Sequence, residues 1–237
     1  MLAIAIDSSQ ESCVLALGNE SQLLAEYAFY SKMSLLRRIV PNAQRLLGDA
    51  GHKVDDLDAV IVSLGPGSFT GLRIGVSVAK SLAYALSRPI VGLGTLDAIA
   101  RSVAPVRSDL ICPMIHARPN EVYWSLFNSS GERRIVEYAA SGIQDVLHSV
   151  KEVGPDVYFC GSGANRNAGA IRDAFGERAI IAAAFAGVAR GAVLIEMGLS
   201  RIKEGAIDDA CTLTPLYIRK PTPLIRLESG ELDPNRR

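Results

Sequence analysis

The stretch SLGPGSFTGLRIGVSVAKSLAYAL, residues 63–86, decides how this chain is read. Glycines 65, 67 and 71, Pro66 and a Ser-Phe-Thr triplet lie between an apolar run and a long helical pattern. A glycine-rich turn feeding a helix is a common phosphate cradle. The spacing here fits neither nucleotide motif. A P-loop requires GxxxxGK[ST], but the fifth residue after Gly65 is Thr70 and the fifth after Gly67 is Leu72. Lys80-Ser81 lies too far inside the helix to reach a phosphate at its start. A GxGxxG fingerprint begun at Gly65 and Gly67 would need a third glycine where Thr70 stands, and the loop does not follow the first strand of its unit. What remains is a tight turn at a helix start, with Ser68 or Thr70 as N-cap.

The helix carries two further signals. Arg73 places a cation in the first turn, against the helix dipole. That predicts an anion beside it: a carboxylate of the fold, a phosphate, or a partner's carboxylate. Gly71, Gly75, Ala79 and Ala83 recur every four residues and form one stripe. Each internal glycine costs about 1 kcal/mol relative to alanine, so the stripe is expected to serve close packing. Its candidate neighbours are the preceding helix of the same domain or a helix of a second protein, and the second is favoured here.

Outward from this stretch, the chain reads as one pattern used twice. Strands LAIAID, SCVLALG and QLLAEYAFY are separated by short polar breaks. A helix over Ser31–Ala50 follows, with Leu35, Leu36, Ile39, Val40, Ala43, Leu46 and Leu47 on one face; Pro41 predicts a kink or a later start. Then come strand DAVIVSL, the glycine loop and a helix over Thr70–Leu86. From Asp109 the order recurs: DLICPMIHA, EVYWSLFNS and RRIVEYAA, a helix over Ile143–Val153, strand DVYFCG, loop GSGANRN and a helix to Phe175. Strand RAIIA and a helix over Ala186–Lys203 close the body. Two successive βββαβα units imply an α/β fold of two lobes, joined near Arg101–Ser108. Residues 1–104 form the first lobe and 105–220 the second, whose last helix is expected to pack back on the first. The tail from Pro221 reads as extended or disordered. In such a topology ligands bind in the cleft between the halves, at the hairpin turns and strand-to-helix loops.

A chain of 237 residues with 49% hydrophobic content can bury a large core. Its 25 Lys+Arg balance 25 Asp+Glu, so no global positive field gathers nucleic acid, and any RNA contact is expected to lean on a partner. Cys13, Cys112, Cys160 and Cys211 form no CxxC pair and no Cys/His cluster, which predicts neither a disulfide framework nor a metal site. The longest apolar run, residues 179–189, is shorter than the about 20 residues that span a bilayer. A soluble, cytoplasmic protein is expected.

If the two units formed an ATPase-like cleft, each opening hairpin should offer an acid to Mg²⁺. The first offers Asp7 with Ser8; the second has His116 in that position. His52, His116 and His148 form no HxxxH or HExxH pair, and no GxSxG elbow activates a serine. No catalytic residue and no metal ligand set is assigned. The residues to consider for a phosphate are Asp7, Ser8, Gly65, Pro66, Gly67, Ser68, Phe69 and Thr70.

GPGSFTGLRIG, AIDSSQESCVLAL, HARPNEVYW and PLYIRKP, taken in order, resemble the bacterial TsaB (YeaZ) family over residues 1–220. The resemblance implies an actin/Hsp70-like (ASKHA) fold. It also implies a non-catalytic paralogue of TsaD that pairs with TsaD, and with the ATPase TsaE, to form threonylcarbamoyladenosine beside the anticodon of tRNA. Contact with tRNA would be indirect, through the complex. A homodimer through the first lobe is implied in TsaD's absence, and ATP or ADP would bind, if at all, at the partner interface. The alternatives are an ATP-dependent phosphotransferase and a glycoprotease-like peptidase. A docking surface is expected on the helices 31–50 and 70–86, at Leu35, Ile39, Gly71, Arg73, Gly75, Ala79 and Ala83. The family's DAR-x-x-EVY motif falls on His116, Ala117, Arg118, Glu121, Val122 and Tyr123; His116 replaces its aspartate, which removes an expected ligand from that hairpin. Met33-Ser34 stands where the family has His-Ser or His-Thr.

Overall fold

Strand β1 (Ala3–Asp7) alternates alanine with isoleucine, and the alternation sets the layers on either side of it. Ile4 and Ile6 point into one apolar layer and Ala3 and Ala5 into another. The computed structural model describes residues 1–31, 34–154 and 156–218. Its first sheet contains β1, β2 (Ser12–Gly18), β3 (Leu23–Tyr30), β4 (Ala59–Gly65) and β5 (Ile90–Gly94), in the order β3-β2-β1-β4-β5. The first three strands pair antiparallel, and β4 and β5 run parallel to β1. Central strands β1 and β4 are buried on both faces, as their unbroken apolar runs require. Edge strand β3 alternates half-buried with exposed residues.

Helices α1 (Leu35–Asp49) and α2 (Phe69–Leu86) cover the isoleucine face. Helix α3 (Thr95–Val103) and the final helix α7 (Gly191–Lys203) cover the alanine face. Small residues there let α7 come close: a Cβ on Gly191 would lie 2.4 Å from that of Ala16, and one on Gly198 2.4 Å from Ile61.

The second sheet repeats the first. Strands β6 (Leu110–Arg118), β7 (Glu121–Asn128), β8 (Arg134–Gly142), β9 (Val157–Cys160) and β10 (Ala179–Ile181) take the order β10-β9-β6-β7-β8, strand for strand the equivalent of the first. Helices α4 (Ile143–Val153), α5 (Ser162–Arg166) and α6 (Ala168–Phe175) fill its connections. Ile111, Ile115, Phe127 and Cys160 of this sheet join the alanine-face layer of the first, so one core cluster belongs to both lobes.

The repeat is longer than the sequence reading had it. Strand β5 and helix α3 extend the first unit by a β–α pair, matching β10 and α7 in the second. The join therefore begins after Val103 rather than at Arg101. Helix α1 starts at Leu35, six residues before Pro41, and runs through it on an exposed side. The expected loop GSGANRN contains helix α5, and α7 begins at Gly191 rather than Ala186. Met33 and the tail from Pro221 lie outside the described residues.

Candidate functional site

The first hairpin turn and the glycine loop meet at the top of the first sheet. Asp7, at the end of β1, is 3% exposed, and its Oδ1 accepts the backbone N–H of Ser9 at 2.8 Å, which closes the turn. Burial raises the carboxyl's pKa above the ordinary carboxylate range, and the hydrogen bonds from Ser9 pull the other way. This aspartate closes the turn from a buried position.

The glycine loop packs onto that turn by its backbone. Ser68 N–H donates to the Ser9 carbonyl at 2.6 Å, and Ser8 Oγ donates to the Gly71 carbonyl at 2.8 Å. A Cβ on Gly67 would lie 2.2 Å from the Ser9 carbonyl oxygen, and one on Gly71 2.2 Å from that of Ser8. The glycines are needed because two backbones touch. Ser68 is the N-cap, accepting from Gly71 N–H at 3.2 Å. Turn and loop therefore meet directly through Ser8, Ser9, Gly67, Ser68 and Gly71.

The expected docking residues divide differently. Gly71, Gly75, Ala79 and Ala83 are buried in the chain's own interior. The upper two face Ser8, since a Cβ on Gly75 would lie 2.0 Å from its Oγ. The lower two join a core cluster with Leu35, Ile39, Leu46 and Leu47 of α1. The partner-facing reading of the stripe is corrected: hairpin, sheet and α1 occupy it. Leu35 and Ile39 are core residues too, 7% and 0% exposed. The flanks of these buried faces are more open. Leu36 and Val40 on α1 are 72% and 47% exposed, and Ile74, Val78 and Leu82 form a half-buried row on α2.

Arg73 is exposed, and among the described residues it meets aromatic rings. Its guanidinium lies 3.9 Å from the Phe69 ring centre and 5.9 Å from that of Tyr217. Its Nε donates to the Tyr217 hydroxyl at 3.1 Å, and the two rings are 5.3 Å apart. Tyr217 was legible only as part of PLYIRKP; nothing in the sequence ties it to a residue 144 positions away.

The second hairpin holds no acid at the corresponding place. His116 N–H donates to Ser162 Oγ at 3.1 Å, and burial, with Arg166 second, lowers the imidazole's pKa. Between the lobes, Asp97 of α3 meets Arg134 of β8 at 2.7 Å, with that guanidinium 3.9 Å from the Tyr138 ring. Arg101 joins Glu132 of the β7–β8 turn at 2.6 Å and Glu196 of α7 at 3.0 Å. Among the described residues no three His, Cys, Asp or Glu side chains cluster to hold a metal ion, and no helix is long and apolar enough to cross a membrane.

Two lobes with equivalent five-stranded sheets and helices on their faces define the actin-like ATPase (ASKHA) fold. A ROK hexokinase from Thermus thermophilus shares it with a TM-score of 0.51 at 12% identity, covering 86% of this chain and 100% of that one. A family profile described as TsaD, tRNA N6-adenosine threonylcarbamoyltransferase, matches residues 31–221. The chain is 32% identical to the tRNA threonylcarbamoyladenosine biosynthesis protein TsaB of Bacillus subtilis, over 92% of its own length and 94% of that protein's. A Pseudomonas aeruginosa structure, described as an uncharacterized protein with similarity to peptidase YeaZ, superposes with a TM-score of 0.77 at 25% identity, covering 92% of this chain and 99% of that one. The chain belongs to the TsaB (YeaZ) family.

Proposed function

We propose that the chain serves tRNA threonylcarbamoyladenosine biosynthesis as a non-catalytic partner of a TsaD-type threonylcarbamoyltransferase, docking through the outer faces of α1 and α2. The observation that carries the reading is a pair of exposed aliphatic side chains on α1, Leu36 and Val40 one turn apart, on a lobe whose α2 carries the half-buried row Ile74, Val78 and Leu82. Apolar side chains in helical register on an otherwise mixed surface suit a helix-against-helix interface. The closed hairpin supports the non-catalytic part, because Asp7 is buried in the turn and the backbone of the glycine loop fills the place beside it. The names of the relatives supply the pathway. Without the transferase, the same faces pair two copies of this chain.

The test is titration calorimetry with the purified TsaD-type protein, using Leu36→Asp and Val40→Asp. Each is expected to weaken binding about tenfold or more, while stability stays within about 0.5 kcal/mol because both positions are exposed. Undiminished binding by the double variant would refute the docking face. Arginine at Gly75 or Ala79 is unsuitable for this purpose, because both positions are interior.

A further inference from the structure

Helix α2 approaches the hairpin closely through glycines, and two hydrogen bonds join the two backbones there. At Gly67, Gly71 and Gly75 there is no side chain to interlock with Ser8 and Ser9, and the small stripe continues at Ala79 and Ala83. On the other side of the helix, a second segment is seated against it. Residues 208–217, which follow α7, run along α2 and the β5 edge of the first sheet from one end to the other.

The path is anchored at intervals. At the start of β5, Asp208 N–H donates to the Ile90 carbonyl at 2.9 Å, and Asp208 Oδ2 accepts Gly92 N–H at 2.8 Å. Midway, Lys80 of α2 donates through Nζ to the carbonyls of Cys211 and Leu213, at 3.1 and 2.9 Å. Leu213 turns inward and is 8% exposed within the cluster that joins α1, α2 and the first sheet. At the far end, Leu216 N–H donates to the Leu64 carbonyl at 2.8 Å, just before the glycine loop. Tyr217 then lays its ring against Phe69, the first residue of α2, and takes the Nε–H of Arg73 on its hydroxyl. The last contact lies on the helical turn whose glycine meets the hairpin backbone.

We propose that residues 208–217 are a strap that holds the first turn of α2 and the glycine loop against the hairpin, so that the position of α2 is set from the C-terminal side of the chain. This gives Arg73 a role within the chain. It is the link between the helix start and the end of the strap, stacked on Phe69 and hydrogen-bonded to Tyr217. Resting on the docking reading, the same device makes partner affinity depend on residues outside the docking face.

Hydrogen exchange on the full-length chain tests the strap without a partner. In Tyr217→Ala, amides 69–73 should exchange about tenfold faster, while those of β6 and β7 stay unchanged. Tyr217→Phe, which keeps the ring stack, should stay within about threefold of the parent at the same amides. Should Tyr217→Ala fail to fold, Lys80→Gln is read instead, at the amides of Leu213 and Leu216, with the same expectation. Unchanged exchange in the first turn of α2 would overturn the strap, and so would equal acceleration in β6 and β7, which would mean general loosening. Titration with the TsaD-type protein then separates the two ideas. Leu36→Asp tests the docking face alone, whereas a Tyr217→Ala chain that is loosened at 69–73 yet binds with full affinity refutes the coupling and leaves the strap standing.

Discussion

Gly71→Ala separates the interior placement of the glycine stripe from a partner-facing one by the sign of its effect. A methyl at this position would lie 2.2 Å from the Ser8 carbonyl oxygen and 3.2 Å from Ser68 Oγ. Carbon and oxygen in ordinary contact stand about 3.3 Å apart, so helix and hairpin must separate by about 1 Å. The near atom is backbone, and no change of rotamer relieves the clash. Two hydrogen bonds cross the joint, Ser68 N–H to the Ser9 carbonyl at 2.6 Å and Ser8 Oγ to the Gly71 carbonyl at 2.8 Å. Each is worth about 1 kcal/mol net, and overpacking adds about 1–3 kcal/mol. Replacing a helical glycine by alanine returns at most about 1 kcal/mol. The net loss is about 2–4 kcal/mol, or roughly 5–15 °C in Tm for a chain of this size. Gly48→Ala is the internal control: it lies in α1, exposed, with nothing within 4 Å of the added Cβ. It should gain about 0.5–1 kcal/mol and raise Tm by about 1–4 °C. Thermal unfolding followed by circular dichroism reads both. If the two variants rise together, the stripe faces outward and the packing argument is wrong.

Two other expectations concern charge. Burial raises the Asp7 carboxyl above its ordinary value of 3.8, so its stabilising contribution is complete below that value and is lost as pH rises through the folded-state pKa. Asp7→Asn keeps the carbonyl that accepts from Ser9 and does not titrate, so its Tm relative to the parent should climb from pH 4 to pH 8; a flat or falling difference would contradict the assignment. Asp97→Asn removes the charge paired with Arg134 across the lobes, where the two side chains are 20% and 29% exposed. It should cost about 1–3 kcal/mol and speed exchange in α3 and β8 together; loss of neither would show that this ion pair does not hold the lobes together.

Much of the fold was legible because burial writes itself into residue order. The apolar runs of β1, β4, β6 and β9 and the periodic face of α1 stand out at short range, and their recurrence gave two α/β lobes. Strand β5 was missed because IVGLG is short and two of its five residues are glycine; α3, nine residues long, follows it with no turn signal between them. The motifs also identified the family. The glycine stripe shows where local reading stops: spacing established that something packs closely on Gly71, Gly75, Ala79 and Ala83, but not what.

The sequence by itself determined that this chain builds an α/β fold twice over, that its glycine loop matches neither nucleotide fingerprint, and that the second hairpin carries His116 in place of an acid. These properties depend on residue type and local spacing. Only the tertiary structure decided which surfaces are inside. It placed Ser8 against the glycines, turned Leu35 and Ile39 inward while leaving Leu36 and Val40 open, and brought Tyr217 across 144 residues to Arg73. Contacts between residues so far apart depend on how complete sheets and helices stack, and a helical period says only that two residues share a face, not what that face meets.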